Sequence, residues 1–246
     1  MAHKIKVLGL CSSPRKGNSH FLLDKALEVA VEYEPVPIEV KRFHFAKKPL
    51  APCDACMAHQ KLKGECRIKD SFQKIRDLWV DADVILYAFP VYHMGIPAQL
   101  KCFIDRLGNS LGYYFQSEEP RTYDIPRLMK IMGFITQGAH LYGGQDVALS
   151  YMLNHAMLMR CIPIPGDLPD SYIGAAGWTG GQVSRNSLME SYEHGDRDTM
   201  IAVKSARQVF RRALETAMIV REGLQAKKDI LTRDISYGFV LKKLPG

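Results

Sequence analysis

The chain has 246 residues, 47% of them hydrophobic and 24% charged, which suits one large α/β unit with a substantial core better than two small ones. Its net charge of +7 comes from Lys and Arg spread along the chain rather than massed in a stripe; this argues against a nucleic-acid partner and for a solvated surface or attraction of small anionic cofactors. No apolar run approaches the roughly 20 residues that cross a bilayer, the first residues lead into a stretch too short for a secretion signal, and six cysteines in this length make no disulfide scaffold. A cytoplasmic protein with no membrane partner is therefore expected.

Lys4–Leu10 is an apolar run ending in turn residues, as in a strand buried on both faces. Ser19–Glu32 follows with Leu22, Leu23, Ala26, Leu27 and Ala30 on one helical stripe, stopped by Pro35 and Pro37. Ile38–Phe43 reads as a second strand. After a cysteine-bearing loop, Ser71–Val80 is a helix with Phe72, Ile75 and Trp79 aligned, and Val84–Phe89 a third strand. Pro97 suits the first position of a helix through Leu100, Ile104 and Leu107. Leu128–Thr136, Gln145–Arg160 and Cys161–Ile164 read as strand, helix and short strand, and a last long helix runs from about Thr199 to Leu224.

This alternation predicts a doubly wound, five-stranded parallel sheet with helices on both faces. Right-handed crossovers and the strand count fit the flavodoxin-like order 2-1-3-4-5. One domain over 1–246 is expected, with a core of about 4–165, an insertion at 109–126, a loop at 166–198 and a C-terminal helix and tail at 199–246. Ligands of such sheets sit beyond the carboxyl ends of the strands, which directs attention to loops 11–19, 89–96 and 136–144.

The first loop, Ser12–Ser13–Pro14–Arg15–Lys16–Gly17–Asn18–Ser19, joins a buried strand to a helix. Free N–H groups and the dipole at a helix N-terminus favour an anion; Ser12, Ser13 and Ser19 offer hydroxyl donors and Arg15 a charged fork. The loop matches neither the nucleoside-triphosphate nor the dinucleotide glycine pattern. A polar strand-to-helix turn is the plainer alternative.

Ser13–Pro14–Arg15–Lys16–Gly17–Asn18–Ser19 resembles the FMN-phosphate loop of the NADPH-dependent FMN reductase and iron–sulfur flavoprotein family. Ala82–Gly95 followed by Pro97–Ala98–Gln99–Leu100–Lys101–Cys102–Phe103–Ile104–Asp105–Arg106 is similar to that family's strand, S-P-x-Y and K-x-F-x-D-R block. The resemblance covers roughly residues 4–165. It implies FMN as cofactor, with Ser12, Ser13, Arg15, Gly17, Asn18 and Ser19 at the phosphate and Pro90, Val91, Tyr92, His93 and Gly95 at the isoalloxazine ring. Where the family often carries Ser before the proline, this chain has Phe89, so a hydroxyl contact is lost. In resembling proteins the loop after the fourth strand follows the other edge of the ring, which adds Thr136, Gln137, Gly138 and Gly143. Surface-loop roles for Tyr92, His93 and the glycine-rich third loop stay open.

Cys53, Cys56 and Cys66 cluster in the loop before the third strand. Iron–sulfur relatives carry C-x-x-C-x-x-C and a later cysteine; here His59 stands at the third position. The set Cys53, Cys56, His59 and Cys66 suits zinc or an iron–sulfur cluster, and a loop without metal is the favoured reading.

The function expected is an FMN-dependent NAD(P)H oxidoreductase: hydride passes from NAD(P)H, as co-substrate, to FMN, and electrons then pass to a quinone, a flavin or a similar small acceptor. The cofactor carries the chemistry, so no catalytic side chain is assigned. A flavodoxin-like or iron–sulfur-linked electron-transfer flavoprotein with a protein partner is the alternative. Tyr113, Tyr114, Phe115, Tyr172 and Trp178 are candidate covers for the pocket. Relatives form dimers or tetramers, so a homodimer or homotetramer is expected, with helix 199–224 and tail Ile230–Leu244 as candidate contacts.

Overall fold

Hydrophobic runs without polar alternation are stable as strands only where helices cover both faces of the sheet. The computed structural model describes residues 4–33, 35–116, 124–166 and 171–244; residues 117–123 of the expected insertion, 167–170 of the expected loop and the last two of the tail lie outside that set. In chain order the elements are β1 (Ile5–Cys11), α1 (Asn18–Leu27), α2 (Val29–Glu32), β2 (Ile38–His44), α3 (Ala58–Lys61), α4 (Phe72–Asp81), β3 (Val84–Pro90) and α5 (Ala98–Tyr114). There follow β4 (Ile131–Gly138), α6 (Gln145–Leu158), β5 (Ile162–Pro163), β6 (Ala175–Trp178), α7 (Ser187–Glu193), α8 (Arg197–Ala226), α9 (Lys228–Leu231) and α10 (Gly238–Leu241).

The sheet is parallel in the order β2-β1-β3-β4-β5, with β6 also paired to β4. Its register is Val7↔Val84 through Cys11↔Ala88 between β1 and β3, and Val84↔Ile131 through Pro90↔Gln137 between β3 and β4. Alternate side chains feed two cores. Val84, Leu86 and Ala88 of β3 face α1 and the buried stripe Ala206, Val209, Phe210 and Ala213 of α8. Ile85, Tyr87 and Phe89 face Trp79 of α4, Phe103 of α5 and Met152 of α6.

The expected short fifth strand is a strand in two pieces. β5 pairs Ile162 with Ile131, while β6, which begins 12 residues after β5 ends, pairs Ala175 to Trp178 with Ile135 to Gly138 along the same edge of β4. The stretch expected as loop 166–198 therefore contributes a strand, helix α7 and the start of α8. Helix α5 continues to Tyr114 because Leu107 and Leu111, both fully buried, extend its apolar stripe across Gly108, Asn109 and Gly112, which are poor helix formers. Strand β4 starts at Ile131 rather than Leu128: Met129 is left-handed, with φ 51°, and the buried Lys130 turns away to donate from Nζ to the carbonyl oxygens of Val80, at 2.8 Å, and Ala82. The tail folds back on its own chain, with Phe239 against Phe115 at 4.7 Å between ring centroids and Val240 and Leu241 buried. Among the described residues, no helix is long and apolar enough to cross a membrane.

One polar chain crosses the core under α6. Trp79 Nε1 donates to the Tyr87 hydroxyl at 2.8 Å, and that hydroxyl meets His155 Nε2 at 3.4 Å. Burial pushes the His155 imidazole down to about 4, so it is neutral in the folded protein at ordinary pH. An unfolded chain binds this proton below about pH 6.5, whereas the folded one resists until about 4. The stabilisation is whole above pH 6.5 and is lost as pH falls through that window, in total about 3 kcal/mol. Denaturation of wild type and His155→Gln between pH 7 and 4 should show a loss with falling pH that is smaller in the variant by about that amount; equal slopes would refute the assignment.

Candidate functional site

All parallel strands deliver their carboxyl ends to one edge, so the loops after β1, β3 and β4 meet there. In the first, Ser12, Ser13, Asn18 and Ser19 are buried and Arg15 is exposed. Ser13 Oγ donates to the Arg15 carbonyl at 2.7 Å and accepts from Arg15 N at 3.3 Å, which folds the loop tip. Helix α1 opens with no side-chain cap and no acidic residue in its first turn. Ser12 Oγ is fully buried beside it and has no hydrogen-bond partner among the described residues. A buried hydroxyl without a partner costs about 1–3 kcal/mol; here it lies at an uncapped helix start, so an anion such as the flavin phosphate fits this cradle.

The second and third loops close around the same edge. Tyr92 and Gly95 exchange backbone hydrogen bonds at 2.9 and 3.0 Å across a turn whose central residues, His93 and Met94, have φ of 49° and 66°. That is the backbone of a type I′ turn, in which non-glycine residues cost about 1–3 kcal/mol each. Tyr92, His93 and Met94 are exposed, while Pro90 is buried and Val91 and Gly95 half-buried. Partial burial raises the Tyr92 phenol above its ordinary pKa, so it is neutral at physiological pH. Thr136 Oγ1 donates to the Phe89 carbonyl at 3.0 Å, Val91 N donates to the Gln137 carbonyl at 2.8 Å, and Gln137 Nε2 donates to Ser19 Oγ at 3.2 Å. Gln145 holds the third loop by accepting from Gly143 N at 2.9 Å and donating to the His140 carbonyl at 2.7 Å.

Several placements were not legible from the motifs. The Asn18 amide is engaged with a distant segment: it donates to Ser187 Oγ at 2.9 Å and to the Ser184 carbonyl at 3.3 Å, and accepts from Leu188 N at 3.1 Å. Arg15 Nη2 donates to the Val183 carbonyl at 3.2 Å, and a Cβ at Gly17 would lie 2.8 Å from the Arg185 carbonyl oxygen. The turn 183–188 is thus a wall of the first loop. Behind the third loop, Thr179 N donates to the Gly138 carbonyl and Gly181 N to the Ala139 carbonyl. Of the candidate covers, Trp178 stands beside Gly138 in register and donates from Nε1 to Asp198. Tyr113, Tyr114 and Phe115 do not reach this edge: they end α5, roughly 24 Å along the helix from Ala98. Tyr172 is exposed.

The cysteine loop forms a separate cleft against α5, lined by Cys53, Cys56, Cys66, His59, Arg67 and Arg106. The Arg106 side chain is 1% exposed. It pairs with Asp70 at 2.6 Å and donates from Nη2 to Cys66 Sγ at 3.3 Å, while its Nε has no partner among the described residues. Burial alone would raise the Asp70 carboxyl, but the Arg106 hydrogen bond and the amides of Ala51 and Phe72 outweigh it and hold the group below its ordinary pKa. Asn109 Nδ2 lies 3.7 Å from Cys53 Sγ, and Arg67 stands against Cys56 and Asp54. Ala55, Met57 and Lys63 all have φ near 50°.

The tightest contact between loops two and three is at Gly144. Its φ is 97°, and a Cβ there would lie 2.6 Å from Met94 Cα and 2.8 Å from the Met94 carbonyl oxygen. Gly144→Ala should push these loops apart, lowering FMN affinity at least 10-fold and stability by about 1–3 kcal/mol, as read by flavin fluorescence titration and thermal melting. Unchanged affinity would remove the Met94–Gly144 contact from the site.

The sequence profile of the NADPH-dependent FMN reductase family matches residues 5–171. An iron–sulfur flavoprotein of Archaeoglobus fulgidus is 29% identical over 227 residues, covering 91% of this chain and all of the relative. One of Methanocaldococcus jannaschii is 30% identical over 174 residues, covering 70% of this chain and 82% of the relative. Among solved structures, RosB with a bound riboflavin 5′-phosphate derivative superposes with a TM-score of 0.62 at 17% identity, over 94% of this chain and 87% of that one; this supports the fold alone. With the flavodoxin-like strand order and the match over residues 5–171, the chain belongs to the NADPH-dependent FMN reductase family of NAD(P)H-dependent oxidoreductases.

Proposed function

We propose that this protein binds FMN across the three loops, takes hydride from NAD(P)H and passes electrons to a small acceptor of the quinone or flavin class. The observation that carries this reading is the buried Ser12 Oγ, without a hydrogen-bond partner among the described residues, at the uncapped start of α1. In this reading Ser12, Ser13, Ser19 and the α1 amides hold the phosphate, with Arg15 at the rim and Gly17 giving the backbone room. Asn18 acts from behind, fixing the loop to Ser187 and Leu188. Pro90, Val91, Tyr92, His93 and Gly95 wall one side of the ring, and Thr136, Gln137, Gly138 and Gly143 the other. FMN, when bound, supplies hydride acceptance and electron release; the protein supplies position and a water-poor wall.

An electron-transfer role with a protein partner is the second reading, and the thiol cleft beside α5 favours it. Self-association is also proposed: Val147, Tyr151 and Leu158 leave apolar surface exposed on α6, and Leu141 and Tyr142 extend it to the third loop. Light scattering should then give a multiple of the single-chain mass.

The decisive experiment is anaerobic addition of NADPH or NADH to FMN-loaded protein, followed by a quinone. Bleaching of the flavin band and its return with the quinone, with many turnovers, is the expected result. A band that neither nucleotide bleaches would favour the carrier reading. Ser12→Ala should weaken FMN binding about 10- to 100-fold, the range for losing one hydrogen bond to a charged group; wild-type affinity in that variant would move the phosphate elsewhere.

A further inference from the structure

A charged groove stands open beside the first loop and is unused by the reading above. It measures about 550 Å³ including its mouth, within the range of small-molecule clefts, and is lined by Lys16, Gly17, Phe21, Arg185, Asn186 and Met189. The side chains of Lys16 and Arg185 make no hydrogen bond or ion pair among the described residues. The other charges on its wall are engaged. Lys25 Nζ pairs with Glu28 at 2.9 Å, and the Asp24 carboxylate pairs with His20 Nδ1 at 2.8 Å and faces Arg42 at 3.9 Å. Lys16 and Arg185 therefore leave the groove net positive, which favours an anion.

The far wall is pinned to the first loop by Arg15 on the Val183 carbonyl and by Asn18 on Ser184 and Ser187. Phe21 is half-buried and stands edge-on to Tyr192 at 5.7 Å between centroids. With the half-buried Met189 it offers apolar surface of the kind that takes a flat heterocycle. The groove begins at Lys16 and Gly17, directly after the Ser12–Arg15 stretch, and among the described residues none of 90–95 or 136–143 lines it. A group that enters it from the cradle is therefore attached to the flavin phosphate, not to a ligand lying over the ring.

We propose that this groove takes the adenylate half of FAD, so that the site accepts the dinucleotide as well as FMN. The inference rests on the reading in which the Ser12 cradle holds the flavin phosphate. Lys16 and Arg185 receive the second phosphate, to which the guanidinium offers a two-pronged donor. Adenine lies against Phe21 and Met189, and the Asn186 amide offers its edge both a donor and an acceptor.

The test is calorimetric titration of the flavin-free full chain with FMN and, separately, with FAD. FAD should bind wild type at least as tightly as FMN does. Lys16→Ala and Arg185→Ala should each weaken FAD by at least about 10-fold, the range for one hydrogen bond to a charged group, while FMN affinity changes by less than about twofold. The retained FMN affinity shows that both variants fold. FMN bound without FAD, or equal losses for the two flavins, would overturn the proposal. So would variants that keep their FAD affinity and raise only the KM for NADPH, which would give the groove to the nicotinamide nucleotide. A wild type that binds neither flavin would bring down the three-loop reading and this inference with it.

Discussion

Gln137 joins all three loops of the candidate site. Its backbone carbonyl accepts from Val91 in the second loop, and its side chain donates to Ser19 at the start of α1. In register it lies opposite Pro90 of β3 on one side and Gly177 of β6 on the other. The residue can do this only because it is the second-last position of a central parallel strand, where the sheet fixes its height. Each hydrogen bond contributes about 1 kcal/mol, but the larger effect is geometric: a shift of β4 by one residue would turn the side chain to the opposite face and separate the first loop from the other two.

That register depends in turn on β6. The last four residues of β4 would present a free edge without it, and a buried edge with unpaired backbone groups is costly. Ala175, Ala176 and Gly177 have little intrinsic preference for a strand and read as a small-residue loop. They are extended because the β4 edge supplies their partners, which is why a short fifth strand at 161–164 was legible and its second piece was not. The strands buried on both faces, β1, β3 and β4, were legible because their apolar runs have no other stable environment. The reach of α5 to Tyr114 was hidden by Gly108, Asn109 and Gly112, whose weak propensity is overridden by the packing of Leu107 and Leu111.

The candidate site shows the same division. Loops one and two were singled out by the strand-end rule, by hydroxyls before a helix and by a family-like proline and aromatic after a strand. What the pattern could not show was commitment over long range. Asn18 looks like one more phosphate donor, yet its amide is consumed by residues 166 to 170 positions away. His93 and Met94 carry no signal for the left-handed backbone they adopt, a position where Asn or Gly is the usual choice. Local rules broken in a turn beside the candidate site fit a constraint set by function rather than folding.

Helix α5 connects this edge to the thiol cleft. Its K-x-F-x-D-R segment was read as part of a flavin signature, but the side chains divide differently. Lys101 and Asp105 pair on the surface, an arrangement usually worth less than 1 kcal/mol, and Phe103 is core. Arg106, about 12 Å along the helix from Ala98, points to Cys66 and Asp70. Asp70 also accepts from Ala51 N and from Phe72 N at the start of α4. One carboxylate therefore ties the segment leading into the cysteine loop, the guanidinium in the cleft and the helix that precedes β3. Removing a partner from such a buried pair costs about 3–5 kcal/mol because the other charge is stranded. The Arg106–Asp70 pair thus anchors the inner wall of the cleft, while Asp54, Ala55, Cys56 and Met57 at its mouth stay exposed.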